Sequence, residues 1–148
     1  LEFHNANITA VDASASALAV AQKNAQQLKA NHIDFIESDW FSHVPTAQYD
    51  LIVSNPPYVC HTDPHLYEGD VQFEPSSALV SEQDGIQDIK TIITTAEQFL
   101  KPNGYLLFEH GYQQGKQVRN LLESSGFKSV EQFQDIQGHT RATMGTKP

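Results

Sequence analysis

The stretch that most constrains this chain is Asp50-Leu51-Ile52-Val53-Ser54-Asn55-Pro56-Pro57-Tyr58, in which an apolar run ends at an amide, two prolines and an aromatic ring. A run of about four to eight residues rich in Leu, Ile and Val and bounded by turn formers is typical of a buried strand in a parallel sheet. The sequence therefore predicts that Asn55 to Tyr58 lie at the carboxyl end of a strand, where open α/β sheets bind their ligands.

The turn itself is expected to be stiff and rich in hydrogen-bond acceptors. Pro56 and Pro57 lack backbone N–H donors, fix their own φ angles near about −65° and favour extended backbone in the residue before each. The Asn55 carboxamide offers an acceptor oxygen and N–H donors, and Tyr58 offers a flat apolar ring. Such a corner suits a planar –NH2 group, because it can hold both hydrogens and orient the nitrogen lone pair at an electrophile by positioning alone.

Asn55-Pro56-Pro57-Tyr58 after an apolar strand resembles the catalytic motif of S-adenosylmethionine-dependent amino methyltransferases. That group includes adenine-N6, guanine-N2 and glutamine-N5 enzymes, and the tetrapeptide alone does not choose among their substrates. A proline-rich turn that only caps a strand is the alternative interpretation, since Asn-Pro is a common turn dipeptide.

Further segments are similar to those of the HemK-type release factor glutamine methyltransferases, and the similarity extends from about Ile8 to Gly145. These segments are Asp63-Pro64-His65-Leu66, Gly69-Asp70-Val71, Phe73-Glu74-Pro75, Ala78-Leu79-Val80, Glu109-His110-Gly111 and Gln114-Gly115. The resemblance implies methylation of the side-chain amide nitrogen of a glutamine in the Gly-Gly-Gln loop of peptide chain release factors, with S-adenosyl-L-methionine as cofactor. It also implies that Asn55 and the Pro56 carbonyl hold the acceptor amide, that Pro57 belongs to the same substrate-binding turn, and that Tyr58 packs over the amide.

The candidate cofactor residues follow two earlier strands. Ile8 to Asp12 is a short β-rich run that ends on an acid before a helix, where a carboxylate can accept hydrogen bonds from both ribose hydroxyls. The run from Ile33 ends at Asp39 and Trp40, which the resemblance places beside the adenine, and Asn55 also belongs to the predicted cofactor site. The alternatives are an ordinary strand-end acid for Asp12 and a core or lid residue for Trp40.

The order of predicted elements is typical of a doubly wound, mostly parallel Rossmann-like α/β sheet. The predicted strands are Ile8–Asp12, Ile33–Trp40, the run that ends at Asn55, Tyr105–Glu109, Phe127–Gln134 and Ala142–Gly145, the last two as an antiparallel pair. The predicted helices are Ala15–Ala30, capped by Ser14, Gly85–Leu100, stopped by Pro102-Asn103-Gly104, and Gln113–Ser125.

The glycines of this chain begin at Gly69, whereas the resemblance implies an earlier first strand that leads into a Gly-rich cofactor turn. Residues 1–148 are therefore predicted to be a partial catalytic domain without that strand, its helix and an amino-terminal helical substrate domain. The family's first strand lies centrally, so its absence predicts unpaired sheet edges at the strands of Asp12 and Asn55. We accordingly expect this stretch alone to bind S-adenosylmethionine poorly and to pair its edges with another copy.

Composition bears on the partners and the compartment. The 9 basic and 18 acidic residues give a net charge of −9, which opposes binding to a phosphate backbone and favours a basic protein partner. Cys60 is alone, which excludes an internal disulfide and fits a reducing compartment. No apolar run approaches a membrane span and no signal pattern opens the chain, so we expect a cytoplasmic protein that does not bind a membrane.

The segment Val59–Asp84 is predicted to be a long functional loop, in which Phe73 and Glu74 are candidates for closing the pocket. A metal site at His61 and His65 is not expected, because Pro64 argues against the helix that their spacing would need. Glu109 and His110 follow a predicted strand, and we expect both to make ordinary loop contacts.

Other functions stay open at this point. Methylation of a ribosomal protein glutamine and methylation of a nucleic-acid exocyclic amine use similar chemistry. A non-catalytic interaction module is the alternative of a different class, because the chain lacks part of a cofactor site.

Overall fold

The computed structural model describes residues 6–63, 66 and 69–148. The chain divides into two compact units, Leu1–Ala47 and Gln48–Pro148. Each unit is described by itself.

The first unit is a strand–helix–strand. β1 (Ile8–Asp12) and β2 (Ile33–Glu37) are parallel, with Asp12 opposite Glu37, and α1 (Ala15–Gln27) connects them. The Ser14 side chain accepts a hydrogen bond from the Ala17 backbone N–H and so caps α1, as predicted. Two elements end earlier than the sequence predicts, α1 at Gln27 and β2 at Glu37, because Lys29 (φ 57°) and Trp40 (φ 48°) adopt left-handed backbone.

The second unit is built on a four-stranded mixed sheet. Its strands are β3 (Tyr49–Ser54), β4 (Leu100–Glu109), β5 (Lys128–Gln134) and β6 (Thr140–Thr146), in the order β3-β4-β6-β5. β3 is parallel to β4, and β6 is antiparallel to both β4 and β5. The antiparallel closing pair predicted from the sequence is therefore confirmed.

Helices connect these strands and cover the sheet. They are a 3₁₀ helix at Gly69–Phe73, α2 (Ser76–Leu79), α3 (Glu82–Gly85), α4 (Gln87–Ala96), a 3₁₀ helix at Glu97–Phe99 and α5 (Gly115–Ser124). α4 packs on β4, and α5 packs on β5 and β6 and against α4. The buried residues there are Ile86, Ile89, Ile92, Ile93, Ala96, Leu100, Leu106, Phe108, Val118 and Leu122.

Three expectations about this unit are wrong. β3 is not buried on both faces: Leu51 is 50% exposed and Val53 62% exposed, because both project from the face opposite to the one on which Leu106 and Phe108 are buried. The segment from Val59 to Asp84 is not an irregular loop, since short helices occupy much of it. β4 begins at Leu100 and not at Tyr105, so Pro102 to Gly104 lie inside the strand, where Asn103 N–H and Gly104 C=O both bond to the Lys147 backbone.

The predicted open edges are present. Within residues 6–63, 66 and 69–148, β1 pairs only with β2 and β3 only with β4. Over the same residues, no helix has the length and apolar character needed to cross a membrane.

Candidate methyl-acceptor site

The Asn-Pro-Pro-Tyr turn leaves β3 at its carboxyl end, as the sequence predicts. Asn55 is exposed, Pro56 is buried, and Pro57 and Tyr58 are half-buried. No described residue hydrogen-bonds to the Asn55 carboxamide. Asn55 therefore keeps its acceptor and donors available, on a backbone that the buried proline anchors.

A cavity of about 380 Å³ opens beside this corner. Its wall carries a carboxylate and a guanidinium as well as the carboxamide, and it is lined by Val53, Ser54, Asn55, Leu107, Glu109, Asp135, Arg141 and Ala142. Alternate residues of β3 and β4 line it because they share one face of the sheet. A second cavity, of about 330 Å³, lies between α1 and β2 and is lined by no residue from the carboxyl end of a strand.

The backbone that follows the turn is clamped from several sides. Val59 N–H donates to Leu79 C=O at 2.9 Å, and Val59 C=O accepts from Ser81 N–H at 3.1 Å. The Gln114 Nε2 group donates to Tyr58 C=O at 3.0 Å and to Gly85 C=O at 3.2 Å. Gln114 thus ties the end of the turn to the loop after β4.

Gly85 is required at this clamp for steric reasons. It has a φ of +79°, and a Cβ built on it would lie 2.1 Å from the Tyr58 carbonyl oxygen. Both the left-handed backbone and this close approach exclude a side chain. The position of Tyr58 therefore depends on glycine in α3.

The ring end of Tyr58 is held by two residues from the neighbouring strands. Arg141 Nη2 donates to the Tyr58 hydroxyl at 3.1 Å, and the guanidinium carbon lies 5.7 Å from the ring centroid. The hydroxyl in turn is 3.4 Å from Glu109 Oε1, and Arg141 Nη2 is 3.6 Å from the same oxygen. Asn55 thus lines the cavity together with an ion pair, Glu109 and Arg141, whose members both contact the Tyr58 hydroxyl.

Asp135 supplies a further negative charge to this cavity. Its Oδ1 accepts from the backbone N–H groups of Gln137 and His139. The hydrogen bond from the His139 N–H is the main cause that holds the pKa of the Asp135 carboxyl below its ordinary value. Asp135 is therefore ionised at neutral pH.

His110 is a structural residue, as expected. Its fully buried ring bonds to the Gly111 carbonyl at 2.9 Å and to Thr143 Oγ1 at 2.8 Å. Burial lowers the pKa of His110 below its ordinary value, which keeps the ring neutral. Gly111 N–H donates to Gln114 Oε1 at 2.9 Å, so the loop carrying Gln114 is fixed at both ends.

The first unit gathers the predicted cofactor residues at the carboxyl ends of β1 and β2. Asp12 is exposed, and its Oδ1 accepts from Ser14 N–H at 2.7 Å. Ser38 N–H donates to the Asp12 carbonyl, and Ser38 Oγ donates to the Trp40 carbonyl at 3.0 Å. Buried Ser38 thereby brings the segment of exposed Asp39 and half-buried Trp40 beside Asp12.

Comparison with known proteins gives the family. The profile of a family described as "Methyltransferase domain" matches residues 1–143. The chain belongs to this methyltransferase domain family. The predicted resemblance is also confirmed by release factor glutamine methyltransferases of Salmonella typhimurium (48% identical over 93% of this chain and 50% of that protein) and Vibrio cholerae (43% identical over 97% of this chain and 51% of that protein).

The methyltransferase domain spans about half the length of the curated relatives that it matches. Its fold is similar to that of a methyltransferase from Pyrococcus furiosus, with a TM-score of 0.73 at 16% identity over 99% of this chain and 65% of that one. It is also similar to the N-methyltransferase NodS of Bradyrhizobium japonicum in complex with S-adenosyl-L-homocysteine, with a TM-score of 0.56 at 18% identity over 95% of this chain and 66% of that one. These similarities confirm the predicted α/β methyltransferase fold.

Other predicted residues lie away from the cavity beside Asn55. Phe73 is 81% exposed and Glu74 is exposed, and neither lines the cavity beside Asn55. The described residues contain no cluster of three metal-binding side chains. His65, named in the metal alternative, lies outside the described residues, as do Pro64, Tyr67 and Glu68.

Sequence reasoning missed the roles of Arg141 and Gly85. The chain has two arginines, Arg119 and Arg141. The residues next to each in the sequence do not show which one is solvated and which one reaches Tyr58 across the sheet. Glu109 was expected to make a loop contact, whereas it approaches the Tyr58 hydroxyl. The signal that pointed to Glu109 and Gln114 was their place in the segments similar to the family.

Proposed function

We propose that the protein containing this chain transfers a methyl group to the side-chain amide nitrogen of a glutamine in the Gly-Gly-Gln loop of peptide chain release factors. The observation that carries the proposal is the exposed Asn55 carboxamide, which has no described hydrogen-bond partner and lines a cavity beside Tyr58. The names of relatives that are 43–48% identical support the choice of acceptor.

The residues of the first unit fit the nucleoside of S-adenosylmethionine. Asp12 is exposed and accepts one described hydrogen bond to its side chain, while a carboxylate has about four acceptor positions. It can therefore accept from ribose hydroxyls as well. Trp40 would hold the adenine with its ring, and Asp39 could accept from the exocyclic amine. When bound, this cofactor supplies a methyl group carried on a sulfonium sulfur. The sulfur becomes the neutral thioether leaving group when the attacking nitrogen takes the methyl group.

The chain's own residues would act on the acceptor amide by positioning it. Asn55 Oδ1 and the Pro56 carbonyl would accept the two amide hydrogens, and the Tyr58 ring would cover one face of the planar amide. With both hydrogens held, the nitrogen lone pair points at the incoming methyl group. The nitrogen becomes acidic only after the new N–C bond forms, so proton loss to solvent follows without a strong base.

Charge supports a protein acceptor rather than a nucleic acid. The net charge of −9 repels phosphate, and Glu109 and Asp135 place two carboxylates in the cavity wall. A positively charged protein segment is attracted to such a surface. Release factors act during translation, so the proposed location is the cytoplasm.

A labelled-methyl assay tests the proposal. The full-length protein is incubated with methyl-labelled S-adenosylmethionine and, in separate reactions, a release factor, ribosomal proteins or nucleic acid. The proposal expects label in the release factor and loss of that label when its Gly-Gly-Gln glutamine is changed to glutamate. Label only in a ribosomal protein or in nucleic acid would replace the proposed acceptor, and label in none of them would contradict the activity.

A further inference from the structure

We propose that Arg141 and Glu109 are positioning residues that act through Tyr58, fixing its ring beside Asn55 so that one face is free for the acceptor amide. This inference rests on the proposed function for the identity of the amide. It adds a role for two side chains that reach the Asn-Pro-Pro-Tyr turn from β4 and β6.

The Tyr58 hydroxyl has protein partners for both its lone pair and its hydrogen. A phenol has a single O–H hydrogen and acceptor lone pairs. Here the oxygen accepts from Arg141 Nη2 at 3.1 Å, and the nearest acceptor for its hydrogen is Glu109 Oε1 at 3.4 Å. Both polar functions of the hydroxyl are directed at protein groups. Tyr58 therefore acts on the acceptor with its ring and not as a proton donor.

The Arg141 guanidinium also contacts the aromatic ring of Tyr58. The Arg141 guanidinium carbon lies 5.7 Å from the Tyr58 ring centroid, within the range of a cation–π contact. Because the same guanidinium is 3.1 Å from the hydroxyl, it lies toward the hydroxyl end of the ring and leaves the rest of the ring to pack on a flat amide. A single side chain both anchors the tip of Tyr58 and sets the tilt of its ring.

The backbone carbonyl and the ring end of Tyr58 are held by different residues. Gln114 and Gly85 fix its carbonyl from the loop after β4 and from α3, and these contacts leave the side-chain torsions free. Among the described residues, the hydrogen bonds and the cation–π contact at the ring end come from Arg141 and Glu109. Loss of Arg141 should therefore loosen the ring while the backbone turn stays in place.

The chain provides a closely matched control pair. Arg119 Nη1 lies 3.6 Å from Glu123 Oε1, with side chains 39% and 51% exposed, whereas Arg141 Nη2 lies 3.6 Å from Glu109 Oε1, with side chains 33% and 45% exposed. Arg119 also donates to a neutral oxygen, Gln132 Oε1 at 3.3 Å. The two arginines thus have the same kinds of partner and similar exposure, but only Arg141 touches Tyr58.

The test is a double-mutant cycle in the full-length protein. Arg141→Met and Tyr58→Phe are each expected to lower kcat for glutamine methylation by roughly 10- to 100-fold, the size of a lost hydrogen bond to a charged group. The double variant should be no more than about twofold slower than Arg141→Met alone, because both changes remove the same contact. KM for the acceptor should change little, and Arg119→Met should retain wild-type kcat. Glu109→Gln, which keeps an acceptor oxygen, should lose less than Arg141→Met.

A second readout needs no acceptor. In the full-length protein with a ¹³C-labelled tyrosine ring, the order parameter of the Tyr58 side chain should fall in Arg141→Met and stay unchanged in Arg119→Met, at equal thermal stability. Multiplicative losses in the cycle, a raised acceptor KM at constant kcat, or an unchanged order parameter would overturn the inference. If the wild-type protein does not methylate glutamine, the proposed function fails, while the order parameter still decides the role of Arg141.

Discussion

Replacing Asn55 with alanine should abolish most methyl transfer without unfolding the protein. The carboxamide is exposed and no described residue hydrogen-bonds to it. Its removal leaves no buried donor or acceptor unpaired, so the free energy of unfolding should change by less than about 0.5 kcal/mol. Any loss of activity then reports on the site and not on folding.

The expected loss of rate follows from what the side chain is placed to do. Asn55 is held on a turn with a buried proline at the next position, so its backbone is fixed in orientation before the acceptor arrives. Removal of one such preoriented hydrogen-bonding group from an active site costs about 3 kcal/mol, which corresponds to a 10²- to 10³-fold lower rate. The effect should fall on kcat, because the interaction strengthens as the lone pair is aimed at the methyl group.

The assay compares initial rates of labelled-methyl transfer to a release factor by the full-length protein and its variants. Asn55→Asp keeps an acceptor oxygen and is expected to retain more activity than Asn55→Ala. Asn120→Ala, which changes an exposed residue of α5, should behave as wild type. An Asn55→Ala protein with near wild-type turnover would remove this residue from the mechanism, and a tenfold loss in Asn120→Ala would show that the assay reports stability.

Three further predictions follow from the contacts that hold the fold. Gly85→Ala should destabilise the protein by about 1–3 kcal/mol in chemical denaturation and lower kcat as well, because its Cβ would displace the Tyr58 carbonyl; unchanged stability would contradict the described turn. Ser14→Ala should cost about 1 kcal/mol by loss of the cap on α1, and a thermal melt identical to wild type would show that the cap contributes nothing. His110 has a lowered pKa in the folded protein, so below pH of about 6.5 the unfolded chain binds a proton that the native ring does not. The free energy of unfolding should therefore rise with pH through that window, more steeply than in His110→Gln; equal slopes would contradict a buried neutral ring.

The sequence predicts well those features that depend on neighbouring residues. The acid at the end of β1, the Ser14 cap and the proline-rich turn each have a local cause in one short segment. The apolar spacing of α4 also predicts its buried face, from Ile89 to Ala96. These elements lie where they were expected.

Features that depend on distant parts of the chain could not be predicted in this way. Arg141 lies 83 residues from the tyrosine that it contacts, and a strand pattern around Arg141 does not specify its partner. The exposure of Leu51 and Val53 likewise depends on what packs on their face of the sheet, not on their own apolar character. The role of Gly85 becomes visible only from the 2.1 Å approach of a built Cβ to Tyr58.

The central claim is that the Asn55 corner clasps a carboxamide and directs a methyl group to its nitrogen. The most direct measurement is fragmentation mass spectrometry of a release factor after incubation with the full-length protein and S-adenosylmethionine. The account predicts one added methyl group on the side-chain nitrogen of the Gly-Gly-Gln glutamine, absent when Asn55→Ala replaces the wild-type protein. A methyl group on any other atom, or the same glutamine product from Asn55→Ala at the wild-type rate, would contradict it.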